Sequence, residues 1–255
     1  MSFAELGYEV LRPDPAMQAW IGHAGGQVDA VLADPANAKW LRYGGTWFAG
    51  VNVLPNNATG ALPGGPPLSG PVVQRAREHS GLASVLWDQG QLSVCFTGYP
   101  QPMAGESEGV FRYRVQRDAA HVDGLRGVGP EKRRFLAEPH AFILGIPLDA
   151  VEAGMSPFVV WEGSHEVMRR ALAAALAGVA PEQWPNVDIT EAYKTARREA
   201  FATCRRLELT TQAGETYIAH RLLLHGVAPW GASSSRRRAV VYFRPLLPRL
   251  ADWLG

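Results

Sequence analysis

The chain has 255 residues, 47% of them hydrophobic, and its 25 basic and 24 acidic residues leave a formal net charge of +1. This length is enough for one domain with a sizeable core, and the balanced charge excludes a global field that recruits nucleic acid or an anionic membrane. We therefore expect a single domain over residues 1–255 with a small molecule as its partner, and neither nucleic acid nor a membrane.

Cysteine usage and the N-terminus indicate the compartment. The two cysteines, Cys95 and Cys204, form no C-x-x-C motif, so we expect neither a disulfide framework nor a thiolate metal site. The N-terminus lacks a basic segment followed by an apolar one, and the chain has no run of about eighteen apolar residues. These features predict a cytoplasmic protein and leave its oligomeric state open.

The predicted elements change along the chain from mixed helices and strands to a β-rich second half. Helices are predicted where a capping residue precedes a proline, at Asp14 with Pro15 and at Ser69 with Pro71. Runs rich in β-branched and aromatic residues predict strands. These strands cover 46–53, a hairpin of 84–87 with 92–96, then 111–115, 141–148, 157–161, 206–210, 216–219 and 239–243.

Two helical segments interrupt these strands, and one irregular segment precedes them. Residues 166–177 have helical periodicity, and Asp188 with Glu191 resembles a capping box that opens a second helix reaching Cys204. Residues 55–67 are too rich in Pro and Gly for a helix or a strand. Such a segment is a candidate binding loop or lid, or else a plain surface connection.

The first candidate site is a histidine and a carboxylate, His121 and Asp123, in a segment that begins like a strand. Side chains two residues apart share one face of a strand. With His225 as a third donor they would complete two imidazoles and one carboxylate, the facial set of non-haem Fe(II) oxygenases, which leaves the opposite coordination positions open. An isolated His-x-Asp pair is common by chance, so its weight depends on the motifs that accompany it.

Four motifs follow one another between residues 110 and 245. They are His121-Val122-Asp123, the segment 159–165 ending in Gly163-Ser164-His165, the segment 214–226 containing His220 and His225, and Arg237-Arg238-Ala239-Val240. In this order they resemble the phytanoyl-CoA dioxygenase-like family of Fe(II)/2-oxoglutarate-dependent oxygenases. The likeness does not extend to the first hundred residues.

This resemblance implies both a fold and an activity. The implied fold is mostly β, of the α+β class: a double-stranded β-helix, or jelly-roll, cupin-like barrel, with its core at roughly 110–245, flanking helices and the N-terminal part packed on it. His121, Asp123 and His225 would hold Fe(II), with 2-oxoglutarate and O2 as co-substrates. The chain would then be a dioxygenase that hydroxylates a small molecule while 2-oxoglutarate is oxidatively decarboxylated to succinate. A carboxylate at position 123 favours hydroxylation, because halogenating relatives have a small residue there.

Arginine suits the distal carboxylate of 2-oxoglutarate, because its planar fork gives two parallel charge-assisted hydrogen bonds. Arg236, Arg237 and Arg238 are the candidates, and strand alternation places Arg237 opposite in direction to the other two. The family pattern, an arginine, one residue and then a small one, selects Arg237 as the inward anchor.

One departure from the family keeps an alternative function open. Val227 occupies the position at which better-known members have a serine that helps to hold 2-oxoglutarate, so Tyr217 or Thr216 would have to supply the hydroxyl. If neither does, the chain either holds 2-oxoglutarate more weakly or is a cupin-like barrel that binds a metal or small ligand without oxygenase turnover. A β-rich interaction module with an accidental His-x-Asp pair requires the other motifs to be coincidences as well.

Further expectations concern the other histidines and substrate selection. His220, His140, His165, His23 and His79 are expected to be hydrogen-bonded histidines that bind no metal, with His140 the next candidate among them to line a pocket. Substrate selection is expected from Trp161, the 55–67 segment and the helices of 166–204. The substrate class is open among acyl-CoA esters, amino-acid derivatives and natural products.

Overall fold

The computed structural model describes residues 2–233 and 236–255. The α-helices are α1 (Phe3–Leu6), α2 (Pro15–Ala33), α3 (Pro71–Ser80), α4 (Glu108–Gln116), α5 (Ser164–Ala175) and α6 (Thr190–Thr203), with 3-10 helices at Pro35–Trp40, Pro181–Asn186 and Leu250–Leu254. The strands are β1 (Tyr8–Leu11), β2 (Leu41–Arg42), β3 (Trp47–Gly50), β4 (Gln91–Cys95), β5 (Leu125–Val128), β6 (Arg133–Leu136), β7 (Phe142–Pro147), β8 (Phe158–Trp161), β9 (Arg206–Leu209), β10 (Thr216–His220), β11 (His225–Val227) and β12 (Arg238–Phe243).

Antiparallel pairing arranges these strands in three sheets. The large sheet has seven strands in the order β1-β10-β7-β12-β4-β3-β2, the small sheet has the order β11-β8-β9, and β5 pairs with β6 alone. Four strands of the large sheet, β1 to β4, come from the first hundred residues. The N-terminal part therefore shares a sheet with the strands that follow the metal-ligand candidates.

Both faces of the large sheet are covered, and strand alternation assigns each side chain to one of them. On β12, Val240 and Tyr242 belong to the same apolar cluster as Phe158 and Val160 of the small sheet. Their neighbours Val241 and Phe243 belong to the cluster on the opposite face. The space between the two sheets is therefore one core, and the outer face of the large sheet is covered by another. Fully burying such a side chain contributes roughly 1.5–3 kcal/mol to the stability of the fold.

Helix α2 supplies much of that outer core. Asp14 caps it, since Oδ1 accepts the N–H groups of Ala16 and Met17. Trp20 is fully buried and its Nε1 donates to the carbonyl of Gly60 at 2.8 Å. This bond holds the 55–67 segment, which contains neither helix nor strand, as predicted.

Two strand predictions are wrong. Residues 84–87 form no strand, so the predicted hairpin is absent, and residues 111–115 lie in helix α4. The aromatic and β-branched residues of 111–115 predicted a strand, but Ser107 caps a helix here, since its Oγ accepts the N–H of Val110 at 3.4 Å. Arg114 of this helix is buried and forms an ion pair with Glu106.

The remaining elements lie close to their predicted positions, with two differences in capping. The N-cap of α3 is Gly70 and not Ser69, and no side chain caps this helix. The helix expected from Asp188 begins at Thr190, with Ile189 as its N-cap, and no capping box forms. Asp188 still accepts the N–H of Thr190 at 3.0 Å. No helix in the described part of the chain combines the length and apolar character needed to cross a membrane.

Candidate metal centre and its cavities

His225 and His121 meet at the edge of the small sheet. The N–H of His225 donates to the carbonyl of His121 at 3.0 Å, and the N–H of His121 donates to the carbonyl of His225 at 2.8 Å. This reciprocal pair is a β-bridge that places His121 beside strand β11. The two imidazoles therefore lie side by side, with ring centroids 4.6 Å apart.

The turn before the first histidine has an unusual backbone that is held from two sides. Asp118 and Ala119 have φ angles of 54° and 52°, a left-handed conformation uncommon outside glycine. The Asp118 carbonyl accepts the N–H of Val227 at 3.0 Å, and its carboxylate accepts two bonds from Arg206 at 2.7 and 2.8 Å. A Cβ on Gly226 would lie 2.2 Å from the Asp118 carbonyl oxygen, so glycine is required there.

His121, Asp123 and His225 bring three potential ligand atoms within 4.8 Å of one another. Nε2 of His121 lies 3.2 Å from Oδ1 of Asp123, and Nε2 of His225 lies 3.7 Å from Oδ2. The side chain of His121 is 51% exposed, whereas the other two are 11% and 5% exposed. Within residues 2–233 and 236–255, no other group of three or more such side chains is close enough to share an ion.

Backbone carbonyls fix the protonation of both imidazoles. Nδ1 of His121 lies 3.0 Å from the carbonyl of Ala119, and Nδ1 of His225 lies 2.9 Å from the carbonyl of Leu223. A carbonyl only accepts, so each Nδ1 carries a hydrogen, and in the neutral imidazole each Nε2 has its lone pair on the side of Asp123. Histidines that bind metals are usually oriented in this way. The residues present therefore fit a divalent metal of the non-haem iron type.

Charge and burial keep His225 and Asp123 in the forms that bind metal. Burial lowers the pKa of His225 to about 4, so its imidazole is neutral at neutral pH. Burial also acts to raise the pKa of Asp123, but Arg244, His225 and His121 outweigh it and hold that pKa well below its ordinary value. Asp123 is therefore a carboxylate.

A cavity of about 290 Å³, which we call the inner cavity, opens beside the three ligands and includes Ser93 and Tyr242 in its lining. Ser93 Oγ accepts from Nε1 of Trp47 at 2.9 Å and from Nη1 of Arg238 at 3.1 Å. The Tyr242 hydroxyl accepts from Nη2 of Arg238 at 2.7 Å and from the Tyr217 hydroxyl at 2.9 Å. With both acceptor positions taken, each hydroxyl keeps its own hydrogen for a ligand in the cavity.

Arg238, directly behind these hydroxyls, is a buried cation with only neutral neighbours. It is 1% exposed, and no carboxylate in the described residues forms an ion pair with it. Its Nε is one of the few buried polar atoms in the described residues that have no hydrogen-bond partner. Burial raises the pKa of Tyr217 and that of the Cys95 thiol, so neither supplies a negative charge. An unpaired buried charge is costly, and an anionic ligand beside Ser93 and Tyr242 would reduce that cost.

Arg237 does not reach the inner cavity, so its predicted inward direction is wrong. Its side chain is 36% exposed and pairs with Asp29 of helix α2 at 2.6 Å. Strand alternation was predicted correctly, but the face shared with Ala239 and Val241 is the one that the outer core covers. Arg238 occupies the inward position.

A second cavity of about 520 Å³, the outer cavity, adjoins the first. Both cavities are lined by Tyr43, Trp47, Gln91, Asp123 and Arg244. The outer cavity also includes His140, as expected, and Trp40. Its walls come largely from residues 40–52, which the sequence had not associated with the site.

The residues predicted to select substrate lie elsewhere. Among the described residues that line the two cavities, none belongs to the 55–67 segment or to helices α5 and α6. Trp161 is buried and packs edge-on against Phe201, with ring centroids 5.2 Å apart. His220 is a hydrogen-bonded histidine, as predicted, since its Nδ1 accepts the N–H of Leu222 at 3.1 Å.

Comparisons with known proteins give a likeness of fold. No protein-family model matches the sequence, and no curated protein matches it. Solved structures do match. The non-heme alpha ketoglutarate dependent carbocyclase SnoK from nogalamycin biosynthesis has 12% identity and a TM-score of 0.50 over 96% of this chain and 81% of that chain.

Two further structures are similar to the same degree. The epimerase SnoN, in complex with Fe3+, alpha ketoglutarate and nogalamycin RO, has 13% identity and a TM-score of 0.51 over 96% of this chain and 80% of that chain. EvdMO1 has 13% identity and a TM-score of 0.52 over 96% of this chain and 48% of that chain. At such identities the likeness concerns the fold alone.

Proposed function

We propose that this protein is an Fe(II)- and 2-oxoglutarate-dependent dioxygenase that hydroxylates a small molecule. The observation that carries the proposal is one cavity lined both by the His-Asp-His cluster and by two hydroxyls, those of Ser93 and Tyr242. Behind these hydroxyls lies the buried Arg238, which has no carboxylate partner among the described residues. A cofactor-independent hydrolase or a plain binding protein has no need of both features together.

In this proposal Nε2 of His121, Nε2 of His225 and a carboxylate oxygen of Asp123 hold the iron. When bound, iron with 2-oxoglutarate and O2 supplies the oxidising chemistry. The chain's own share is positioning: carbonyl-bound Nδ1 atoms fix the imidazoles, and the Asp118–Arg206 pair fixes the turn that carries His121. Apolar neighbours of the cluster, including Phe158, limit the access of water.

Arg238, in place of Arg237, is the proposed anchor for the distal carboxylate of 2-oxoglutarate. The hydroxyls of Ser93 and Tyr242 would donate to the carboxylate, and the guanidinium behind them would balance its charge. These hydroxyls replace the serine that Val227 displaces. Tyr217, one of the two hydroxyls predicted from the sequence, acts one step further back by donating to Tyr242.

The finer description of the fold belongs to the same proposal. The two facing sheets are consistent with a double-stranded β-helix, and the four sequence motifs favour its phytanoyl-CoA dioxygenase-like branch. Residues 1–255 would form one oxygenase domain, since β1 to β4 pair into the large sheet. The SnoN complex holds Fe3+ and alpha ketoglutarate, which supports the same pair of ligands for this chain.

The substrate is proposed to occupy the outer cavity. This cavity meets the inner one at Asp123, so a molecule bound there reaches the metal, and its volume of about 520 Å³ suits a small molecule. Aromatic side chains of Trp40, Tyr43 and Trp47 form part of its wall. The lining carries charges of both signs, with Arg42 and Arg244 beside Asp88, Asp123 and Glu138.

The test is formation of succinate from 2-oxoglutarate by the Fe(II)-loaded protein, with and without a panel of candidate substrates. His225→Ala should abolish both succinate formation and Mn(II) binding measured by calorimetry, whereas His220→Asn should retain both. If His225→Ala binds Mn(II) with unchanged affinity, the assignment of His225 as a metal ligand is wrong. Metal binding without any succinate would instead favour the cupin-like binding barrel.

A further inference from the structure

Arg244 stands at the boundary between the two cavities and contacts a metal-ligand candidate. Its Nη1 donates to Oδ2 of Asp123 at 3.0 Å, and its side chain is 21% exposed. It follows strand β12, outside all four sequence motifs. So far its only role is to help keep Asp123 ionised, although it lines both cavities.

Two further contacts hold the arginine in place. Nη2 of Arg244 donates to Oε1 of Gln91, a nearly buried residue at the start of strand β4. The backbone N–H of Arg244 donates to Oδ1 of Asp88 at 2.8 Å. The guanidinium is therefore fixed from the protein side, and its direction toward Asp123 is a property of the fold.

The two oxygens of Asp123 have different neighbours. Oδ1 is the oxygen near Nε2 of His121, at 3.2 Å. Oδ2 lies farther from its imidazole, 3.7 Å from Nε2 of His225, and it also receives the Arg244 hydrogen bond at 3.0 Å. A carboxylate that binds a metal through both oxygens occupies two coordination positions. One that binds through a single oxygen leaves one position more for other ligands, and a facial set depends on such open positions.

We propose that Arg244 is a positioning residue that keeps Asp123 a one-oxygen ligand. By occupying Oδ2 it leaves Oδ1 for the metal, so three positions of a six-coordinate ion stay open on the cavity side. Two serve a chelating co-substrate and one serves O2. This inference rests on the metal assignment of the proposed function and adds to it the number of open positions.

The variant that isolates the effect is Arg244→Lys, which keeps the positive charge but loses the planar fork held between Asp123 and Gln91. Its matched control is Arg249→Lys, because Arg249 is exposed and pairs with Asp252 away from both cavities. The readout is the number of water molecules on bound Mn(II), from water relaxation of the protein loaded with Mn(II) alone. A purely structural role for Arg244 would not change this number.

We expect about three waters in the parent and in Arg249→Lys, and about two in Arg244→Lys, where Asp123 is free to bind through both oxygens. Gln91→Leu leaves Arg244 and its charge in place but removes its support, and it should also lower the number, which keeps the test decisive if Arg244→Lys does not fold. If folded Arg244→Lys has the same number of waters as the parent, the inference about Arg244 is overturned and the proposed function is not. A parent that binds no Mn(II) overturns the proposed function and this inference together.

Discussion

Nη2 of Arg238 donates a 2.7 Å hydrogen bond to the hydroxyl of Tyr242, four residues along the same strand. Residues an even number apart share a face of a strand, so both side chains lie between the two sheets. The arginine thus meets a neutral hydroxyl in the place where a buried cation normally meets a carboxylate. A carboxylate ligand beside that hydroxyl would complete the charge balance.

Replacing Arg238 with methionine should weaken 2-oxoglutarate binding to the Mn(II)-loaded protein by about a hundredfold or more. Losing one partner of a buried charge pair costs about 3 kcal/mol, and every 1.4 kcal/mol is about tenfold in affinity. The neighbouring Arg237→Met is the matched control, because Arg237 pairs with Asp29 at the surface. Calorimetry decides between them, and an equal loss in both variants would contradict the assignment of Arg238.

Tyr242→Phe should weaken 2-oxoglutarate binding by about ten- to a hundredfold, because a hydrogen bond to a charged group contributes about 1.5–3 kcal/mol. Tyr217→Phe removes a hydroxyl from the same network, but that hydroxyl donates only to Tyr242, so its effect should be smaller. Both phenylalanine variants keep the ring volume of the core. The same calorimetric titration measures both variants. A larger loss of affinity for Tyr217→Phe would show that Tyr217, and not Tyr242, contacts the ligand.

The error at Arg237 shows a limit of reading strands from sequence. Alternation predicts which residues share a face, and it did so here. It does not tell which face is inward when both are buried, and every residue of β12 is buried. Helix α2, whose Asp29 pairs with Arg237, covers the face that the pattern of small residues had selected.

The candidate ligands could be found from the sequence because their chemistry requires particular side chains in a particular order. His121, Asp123 and His225 do lie together. Their backbone was not foreseen, since the segment reaches His121 through two left-handed residues and not through a strand. Arg244 and the wall from residues 40–52 carry no local signal, because only pairing between distant strands brings them to the cavity.

Arg206→Met should lower the Mn(II) affinity and the stability of the protein together. Arg206 makes both hydrogen bonds to the Asp118 carboxylate, which is 3% exposed, and leaving a buried charged acceptor unpaired costs about 1–3 kcal/mol. The neighbouring Arg205→Met is the control, since Arg205 is 67% exposed and its partner Glu162 keeps the hydrogen bond from the Tyr8 hydroxyl, so its loss should be smaller. Urea unfolding and calorimetry measure the two effects. A stability loss with unchanged metal affinity would show that the turn keeps its shape without this pair.

The folded protein should lose stability as the pH falls below about 6.5, partly because of His220 and His165. Burial lowers the pKa of both imidazoles, and Arg221 lowers that of His220 further. The unfolded chain therefore takes up protons first, so this contribution is complete above the unfolded pKa of about 6.5 and is lost on acidification. At pH 5.5 each histidine that stays neutral in the folded state lowers the free energy of unfolding by at most about 1.4 kcal/mol.

Urea unfolding of the metal-free protein at pH 7.5 and pH 5.5 measures this loss. His220→Asn keeps an acceptor for the N–H of Leu222 and cannot be protonated, so its stability should depend less steeply on pH than that of the parent. His23→Asn is the control, because His23 is a partly exposed histidine whose Nε2 lies 2.9 Å from the Pro63 carbonyl. Equal slopes for all three proteins would show that His220 is protonated in the folded state, and would place the acid sensitivity in other groups.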